Sequence, residues 1–576
     1  MRARFLLQTI LVWSLASGAG VFAQIPLATN AQDSARIGTS SPATHQITTP
    51  DAQLQQTPRS LDEIIERVAA RERQEIETFS IYKPIVETYL QEERADAQMG
   101  TLPKADIYFL GQADFRGRLK VHSLLERTRK GSLLWSFDPA GFLQMIFVDR
   151  GEFDKNHYVF KPAGREFLGD VRCYVFDVSR APKVRGPRFV GRIWVEDQDF
   201  TIVRINGKYA PEIHFSIKHF EDEFYLHFDS WRINAKPGVW LPSYVYSQEL
   251  DEPVHFGGPR YKSQTRLWGY GLTQRTREEE LGRLLVESSG QIKDEAAQHD
   301  RSPLEEQREW RHEAENNVLD VLERDGLVAP QGDVEKVLNT IVNNLIVTNN
   351  LDAEVDLHCR VLTTSNLEMF SMQSTIVLSR GLIDVVPNEE TLAALLAYEI
   401  ADAIVPKPAQ DQYAFSDILR LTPTEVLKRL SFEDKKPEAV DNSQKAMELL
   451  KKSPYAGKLA NAGLFLSQLQ SQSKELKQLI SPRLGNQVFF TSQLLHAAPT
   501  LQPDNKQQIA ALPMGSRIKL NPWSDSLSLM KAQQMAPLSP REKMPFEVTP
   551  IIPYLTRYVE TSAASENSIV PVAENQ

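Results

Sequence analysis

The chain has 576 residues, with 65 Lys plus Arg against 75 Asp plus Glu and a formal net charge of −10. Hydrophobic residues make up 41% and charged residues 24%, an ordinary balance for globular protein with room for two or three domains. The acid excess argues against a broad nucleic-acid footprint, and beyond the N-terminus no run of about 18 apolar residues offers a transmembrane helix.

Arg2 and Arg4 precede an apolar run, Phe5 to Ala16, and Val21-Phe22-Ala23 fits a small-x-small cleavage site. Residues 1–23 therefore read as a signal peptide, and the mature chain is expected to begin near Gln24, exported to the periplasm or beyond the cell. A membrane anchor is the competing reading, but the run is short for a bilayer. Residues 24–58, rich in Ser, Thr, Gln, Ala and Pro, read as a disordered spacer.

Ser60-Leu61-Asp62-Glu63 is a capping-box pattern that predicts a helix through Val68 and Ala69. From Ile107 the texture becomes β-like, in short aromatic and β-branched runs divided by Gly, Pro and Asp. The predicted strands include Ile107–Leu110, Phe142–Val148, Cys173–Val178, Phe224–Phe228 and Val239–Leu241. Phe189–Glu196 and Phe200–Arg204 read as a hairpin with Asp197-Gln198-Asp199 in its turn. Five of the eight Trp fall between 135 and 268, which predicts a curved sheet with an apolar concave face or simply an aromatic core. Residues 59–285 form this antiparallel, β-rich domain.

Residues 286–325 read as a linker and a charged helix, opened by Ser302-Pro303-Leu304-Glu305 and stopped near Asp325-Gly326. A second domain, 326–480, follows. Asp333 is expected to cap a helix striped by Val337, Leu338, Ile341, Leu345 and Ile346. Strands are expected at Val355–Leu362 and Thr375–Ser379, before Asn388, Glu389 and Glu390 open another helix. Residues 481–560 are a C-terminal extension and 561–576 a disordered tail. The fold class is α+β. The two cysteines, Cys173 and Cys359, are 186 positions apart and read as free, strand-buried thiols, although an exported chain could join them.

Two family resemblances are carried by these segments. An N-terminal helix, many antiparallel strands and the stretch GRIWVEDQDFTIVRINGKY resemble the LolA-like lipoprotein-carrier half-barrel over about residues 60–285. Members of that fold hold acyl chains. Over about residues 330–460, RVLTTSNLEMFSMQSTIVLSRGLIDVVPNEETLAALLAYEIADAIV resembles the HtpX/BepA-like, CAAX-prenyl-protease-type zinc metallopeptidases. That resemblance implies a gluzincin-type domain, largely helical after its motif.

The metallopeptidase motif is H-E-x-x-H: two histidines one helical turn apart hold zinc, and the glutamate acts as general base on a metal-bound water. The matching positions here are Tyr398, Glu399 and Asp402. The family's third ligand, a glutamate on a later helix, falls at Ala439, with Glu438 beside it as a weak substitute. The edge-strand segment, Glu368–Ser374, lacks the family's Pro and Gly. Leu392, Leu396, Ile400 and Ala403 make an apolar face that sets the helix on a core.

Three readings stand. The domain is a metal-free pseudo-peptidase; or Asp402, Glu399 and Glu438 hold a harder cation; or the helix resembles the motif by chance. The first makes the chain an exported envelope binding or scaffold protein for lipidated or unfolded polypeptides, with no cofactor and no nucleic-acid partner. The alternative function is an active metalloendopeptidase with substituted ligands, which would need zinc.

Overall fold

Ser60 caps the first helix, α1 (Leu61–Phe79), its hydroxyl accepting from the Glu63 amide at 3.2 Å. The computed structural model describes residues 60–96, 100–125, 139–210, 226–249, 260–271, 303–351, 357–372, 374–404, 424, 426–427, 442–480, 499, 501–502, 504–513, 518–529 and 546–558. Their architecture is α+β.

Ten strands build one open antiparallel sheet. They are β1 (Ile85–Asp96), β2 (Gly100–Asp114), β3 (Lys120–Ser123), β4 (Tyr158–Leu168), β5 (Val171–Arg180), β6 (Arg188–Glu196), β7 (Ile202–Ala210), β8 (Leu226–Lys236), β9 (Val239–Glu249) and β10 (Arg260–Trp268). The strand order is β3-β2-β1-β10-β9-β8-β7-β6-β5-β4, so β10 returns to pair with β1, Ile85 opposite Trp268. The predicted hairpin is β6–β7, with a bulge at Trp194/Val195 and Phe200 at φ 58° leaving its turn. One outer strand, β4, pairs among the described residues only with β5 and is broken by a bulge between Pro162 and Gly164, the latter at φ 134°. Proline cannot donate to a ladder and Gly tolerates that backbone region, so both residues are fitted to an edge.

Side chains alternate across each strand, and both faces of the sheet carry core over its inner strands, while β3 and β4 are largely exposed. On one face, Val68, Ala69 and Phe79 of α1 pack with Phe176, Phe189, Ile193, Phe228, Leu241 and Val245. The run Phe142–Val148, predicted as a strand, is instead the end of a short helix α2 (Pro139–Gln144) followed by turns. Six of its seven residues, all but Gln144, belong to the same core cluster. A continuous apolar run carries no period that separates a buried strand from a buried turn of helix.

Polar pegs fix α1 to this face. Arg232, on β8, makes two 2.7 Å hydrogen bonds to Glu72, both side chains almost wholly buried. Arg71 reaches Thr201 at 2.9 Å and pairs with Glu75 at 2.6 Å. Burial nonetheless pushes the Glu75 carboxyl up to about 7, outweighing Arg71 and Arg232, while Glu72 adds to the rise.

The other face carries Tyr89, Tyr108, Trp231, Trp240 and Trp268, which share one apolar cluster with the second layer of the protein. That layer begins with α3 (Pro303–Arg324), which ends where Gly326 takes φ 74°, and α4 (Asp333–Thr348). Gly332, not Asp333, is the capping position of α4; Asp333 is its first residue. A three-stranded sheet follows: β11 (His358–Leu362), β12 (Met369–Met372) and β13 (Thr375–Ser379), with β13 central, parallel to β11 and antiparallel to β12. The short helix α5 (Arg380–Val385) leads into α6 (Glu389–Ala403), and α7 (Asn442–Lys451) and α8 (Leu459–Gln472) complete the helices around it.

The two layers meet at a buried ion pair. Glu87 of β1 and Arg380 of α5 are 3.4 Å apart and 2% and 1% exposed. Glu87 also accepts from the Ser365 amide at 2.7 Å and from the Tyr108 hydroxyl at 2.8 Å, and Arg380 donates to the Thr363 carbonyl at 2.8 Å. Trp268 Nε1 donates to the Gly326 carbonyl at 2.9 Å. Asp106 accepts from the Gln478 and Leu479 amides at 2.9 and 2.8 Å. The Trp-bearing face is therefore core and polar seam together, not an open apolar surface.

Cys173 in β5 and Cys359 in β11 are buried free thiols, and burial pushes both up to about 12. Among the described residues no helix is long and apolar enough to cross a membrane.

Two outcomes are expected. Replacing Glu87 with Ala strands Arg380 and should cost about 3–5 kcal/mol in denaturant unfolding; a loss under about 1 kcal/mol would show that the seam does not hold the layers. Glu75 is raised in the folded state, so its contribution is present below its unfolded value near 4.5 and lost as pH rises through about 7. Stability should therefore rise from pH 8 to pH 5, and Glu75→Gln should flatten that rise.

Candidate functional site

The helix that carries the motif begins at Asn388, whose side-chain oxygen accepts from the Thr391 amide at 2.9 Å and its hydroxyl at 2.7 Å. Glu389 and Glu390 then sit at the positive end of the helix dipole. Tyr455 donates to Glu389 at 2.8 Å, and Lys458 reaches Glu390. The helix α6 so placed packs on α4, α7, α8 and the strand β12.

The sequence predicts one apolar face on α6. The structure corrects this: every residue from Thr391 to Ala401 is buried. Leu392, Leu396 and Ile400 lie in the core, but so do Ala393, Ala394, Leu395 and Ala397 from the other sides. A helix enclosed all round is a central pillar, not the floor of a cleft.

The three motif positions share this enclosure. Tyr398 is 8% exposed and belongs to the apolar cluster. Glu399 is 0% exposed. Asp402, near the open end of the helix, is half-buried and accepts from the Ser371 hydroxyl of β12 at 2.8 Å. The altered edge segment Glu368–Ser374 does form an edge strand, β12, beside α6. Its inward serine ties down the carboxylate that stands where the family has its second histidine. Ala439 and Glu438 lie outside the described residues.

Tyr398 and Asp402, as placed, do not make a pair of zinc ligands. A phenol ordinarily titrates near pH 10 and Tyr398 is set among apolar side chains, while one Asp402 oxygen is already used by Ser371. Zinc sites take three nitrogen, sulfur or carboxylate donors around an open position. Among the described residues no three His, Cys, Asp or Glu side chains converge as a metal site would require.

The described residues contain a second arrangement, which falls within the C-terminal extension expected from the sequence. Residues 546–558, neither strand nor helix, cross the sheet face opposite α1, with Val548 and Leu555 in its apolar cluster. Gln91 of β1, 0% exposed, bonds the Phe546 carbonyl through its amide nitrogen and accepts from the Val548 amide at 2.7 Å. Tyr244 donates to the Thr549 carbonyl at 3.3 Å, the Asp170 amide to the Leu555 carbonyl at 2.8 Å, and the Tyr558 amide to Asn234 at 2.6 Å. Lys262 reaches Glu547, and Arg557 reaches Glu196 at 2.7 Å and Asp197 at 3.3 Å. The signal in the sequence is the pair Pro550 and Pro553, which favours an extended chain.

No protein-family model matches the chain, and no curated protein matches it. A solved structure of a complex from Pseudomonas aeruginosa, MucA/MucB, is similar at 10% identity, over 36% of this chain and 93% of that one. Its TM-score of 0.12 is too low to carry an argument about fold or function.

If Glu399 serves as core, truncating it will cost stability. Glu399→Ala should lose about 2–5 kcal/mol in chemical denaturation, within the range of buried large-to-small changes. An unchanged unfolding midpoint would mean that the carboxylate faces a solvent-filled site.

Proposed function

We propose that the chain is a non-catalytic, metallopeptidase-like binding or scaffold protein of the bacterial envelope, acting on lipidated or unfolded polypeptides. The observation that carries the first half is the complete burial of Glu399. A general base must come within hydrogen-bond reach of a water or a substrate proton. A carboxylate at the centre of a helix buried from 391 to 401 is shielded from bulk water, which supports this reading.

Export rests on Arg2, Arg4, the Phe5 to Ala16 run and Val21-Phe22-Ala23. The polypeptide partner is supported by the sheet itself. One of its faces holds an extended stretch of protein, 546–558, chiefly by hydrogen bonds to main-chain atoms. Recognition of that kind accepts varied sequences. The LolA-like half-barrel and the gluzincin-like domain are the architectural part of this proposal, and the open ten-stranded sheet and the β11–β13 sheet leading into α6 support it.

Two measurements on the full chain test it. Casein should stay uncleaved with or without added zinc or manganese, and the protein should suppress aggregation of a reduced, unfolded polypeptide at near-stoichiometric ratio. Chelator-sensitive cleavage that disappears in Glu399→Gln would replace this reading with the active endopeptidase.

A further inference from the structure

Several polar groups under the segment 546–558 have partners besides it. Gln91 keeps a 3.2 Å bond to Tyr89. Lys262 is paired with the buried Glu93 at 2.9 Å as well as with Glu547. Glu196 accepts from the Gln198 amide at 3.1 Å, besides meeting Arg557. Take the segment away and each of these three polar groups still has a partner on the sheet, so the polar part of the bed is preformed.

The bed also recognises main chain before side chain. Gln91 engages the carbonyl and amide on either side of residue 547, as a neighbouring strand would. Tyr244, Asn234 and the Asp170 amide all bond to main-chain atoms. At Gly169 the sheet comes so close that a Cβ would stand 2.4 Å from the Leu555 carbonyl oxygen, and its φ of +65° favours glycine. Side chains then set a pattern: Val548 and Leu555 are buried, Glu547 meets a lysine, and Arg557 meets two carboxylates.

The occupant is held by these pegs without joining a ladder. It forms neither strand nor helix, and Pro550 and Pro553 have no amide to donate. Ile552 is 73% exposed and Tyr554 64%. Main-chain bonds made one at a time to side chains open more readily than those of a continuous strand ladder.

We propose that this bed on the sheet is a binding site for an extended, proline-containing segment of a partner protein, with 546–558 as its internal occupant. The chemistry it selects is that of the occupant: apolar, acidic, apolar, then prolines, then apolar and basic. The proposal rests on the polypeptide-binding reading above and gives that reading a place and a regulation, since the partner must displace the chain's own segment.

The test uses the full chain and a fluorescent synthetic peptide of sequence FEVTPIIPYLTRY. In the native protein, the Val548 and Tyr558 amides should exchange with deuterium at least tenfold faster than the amides of β9 and β10. A release variant, Val548→Asp with Leu555→Asp, should bind the peptide at least tenfold more tightly than the native chain. Adding Gln91→Leu should abolish that gain. Strap amides that exchange only with global unfolding overturn the proposal, and this arm stands even if the release variant fails to fold. Equal peptide binding by native and release chains overturns it too, as does a release variant that dimerises in place of binding. Aggregation suppression that survives Gln91→Leu in the release variant would leave the general function standing and remove only this site.

Discussion

Glu87 and Arg380 are the joint of the molecule. Neither could be buried alone, because an unpaired charge in a protein interior costs several kcal/mol. Together with the Ser365 amide, the Tyr108 hydroxyl and the Thr363 carbonyl, they form a closed polar knot in an otherwise apolar seam. Burial lowers Arg380 to about 10, so it stays charged through the neutral range. Apolar packing alone would let two layers slide over each other; a knot of directed bonds allows one register. That register sets α5, and α5 sets the start of α6.

Local chemistry makes several elements legible in advance. The β6–β7 hairpin is readable because β-branched and aromatic residues flank an acidic turn, and α1 and α6 are readable from Ser60 and Asn388. What escapes is set by contacts far apart in sequence. Nothing near Ile85 announces that it faces Trp268. The enclosure of α6 escapes for a related reason: small residues such as Ala393, Ala394 and Ala397 look neutral in sequence and become core only when other elements close over them. Phe142–Val148 is apolar throughout and has no period to read.

The motif helix illustrates how a resemblance and a structure answer different questions. The strands β11 and β13, the edge segment of β12 and the helix α6 are expected from the sequence, and so are the positions of Tyr398, Glu399 and Asp402; the short helix α5 is not. Whether a carboxylate at 399 can touch water depends on side chains from α4, α7, α8 and β12. The segment 546–558 is hidden by its lack of pattern, since an extended chain with two prolines has no periodicity beyond its composition.

The broken outer strand β4 has a consequence for a sheet that, among the described residues, does not close on itself. An unbarred edge would offer a row of free amides and carbonyls to any other chain, and crowded copies would stack into fibres. Pro162 and the kinked Gly164 interrupt that row midway, with Lys161 and Arg165 beside them as like charges that repel a second copy. At this edge, an open sheet offers a second chain no continuous row to pair with.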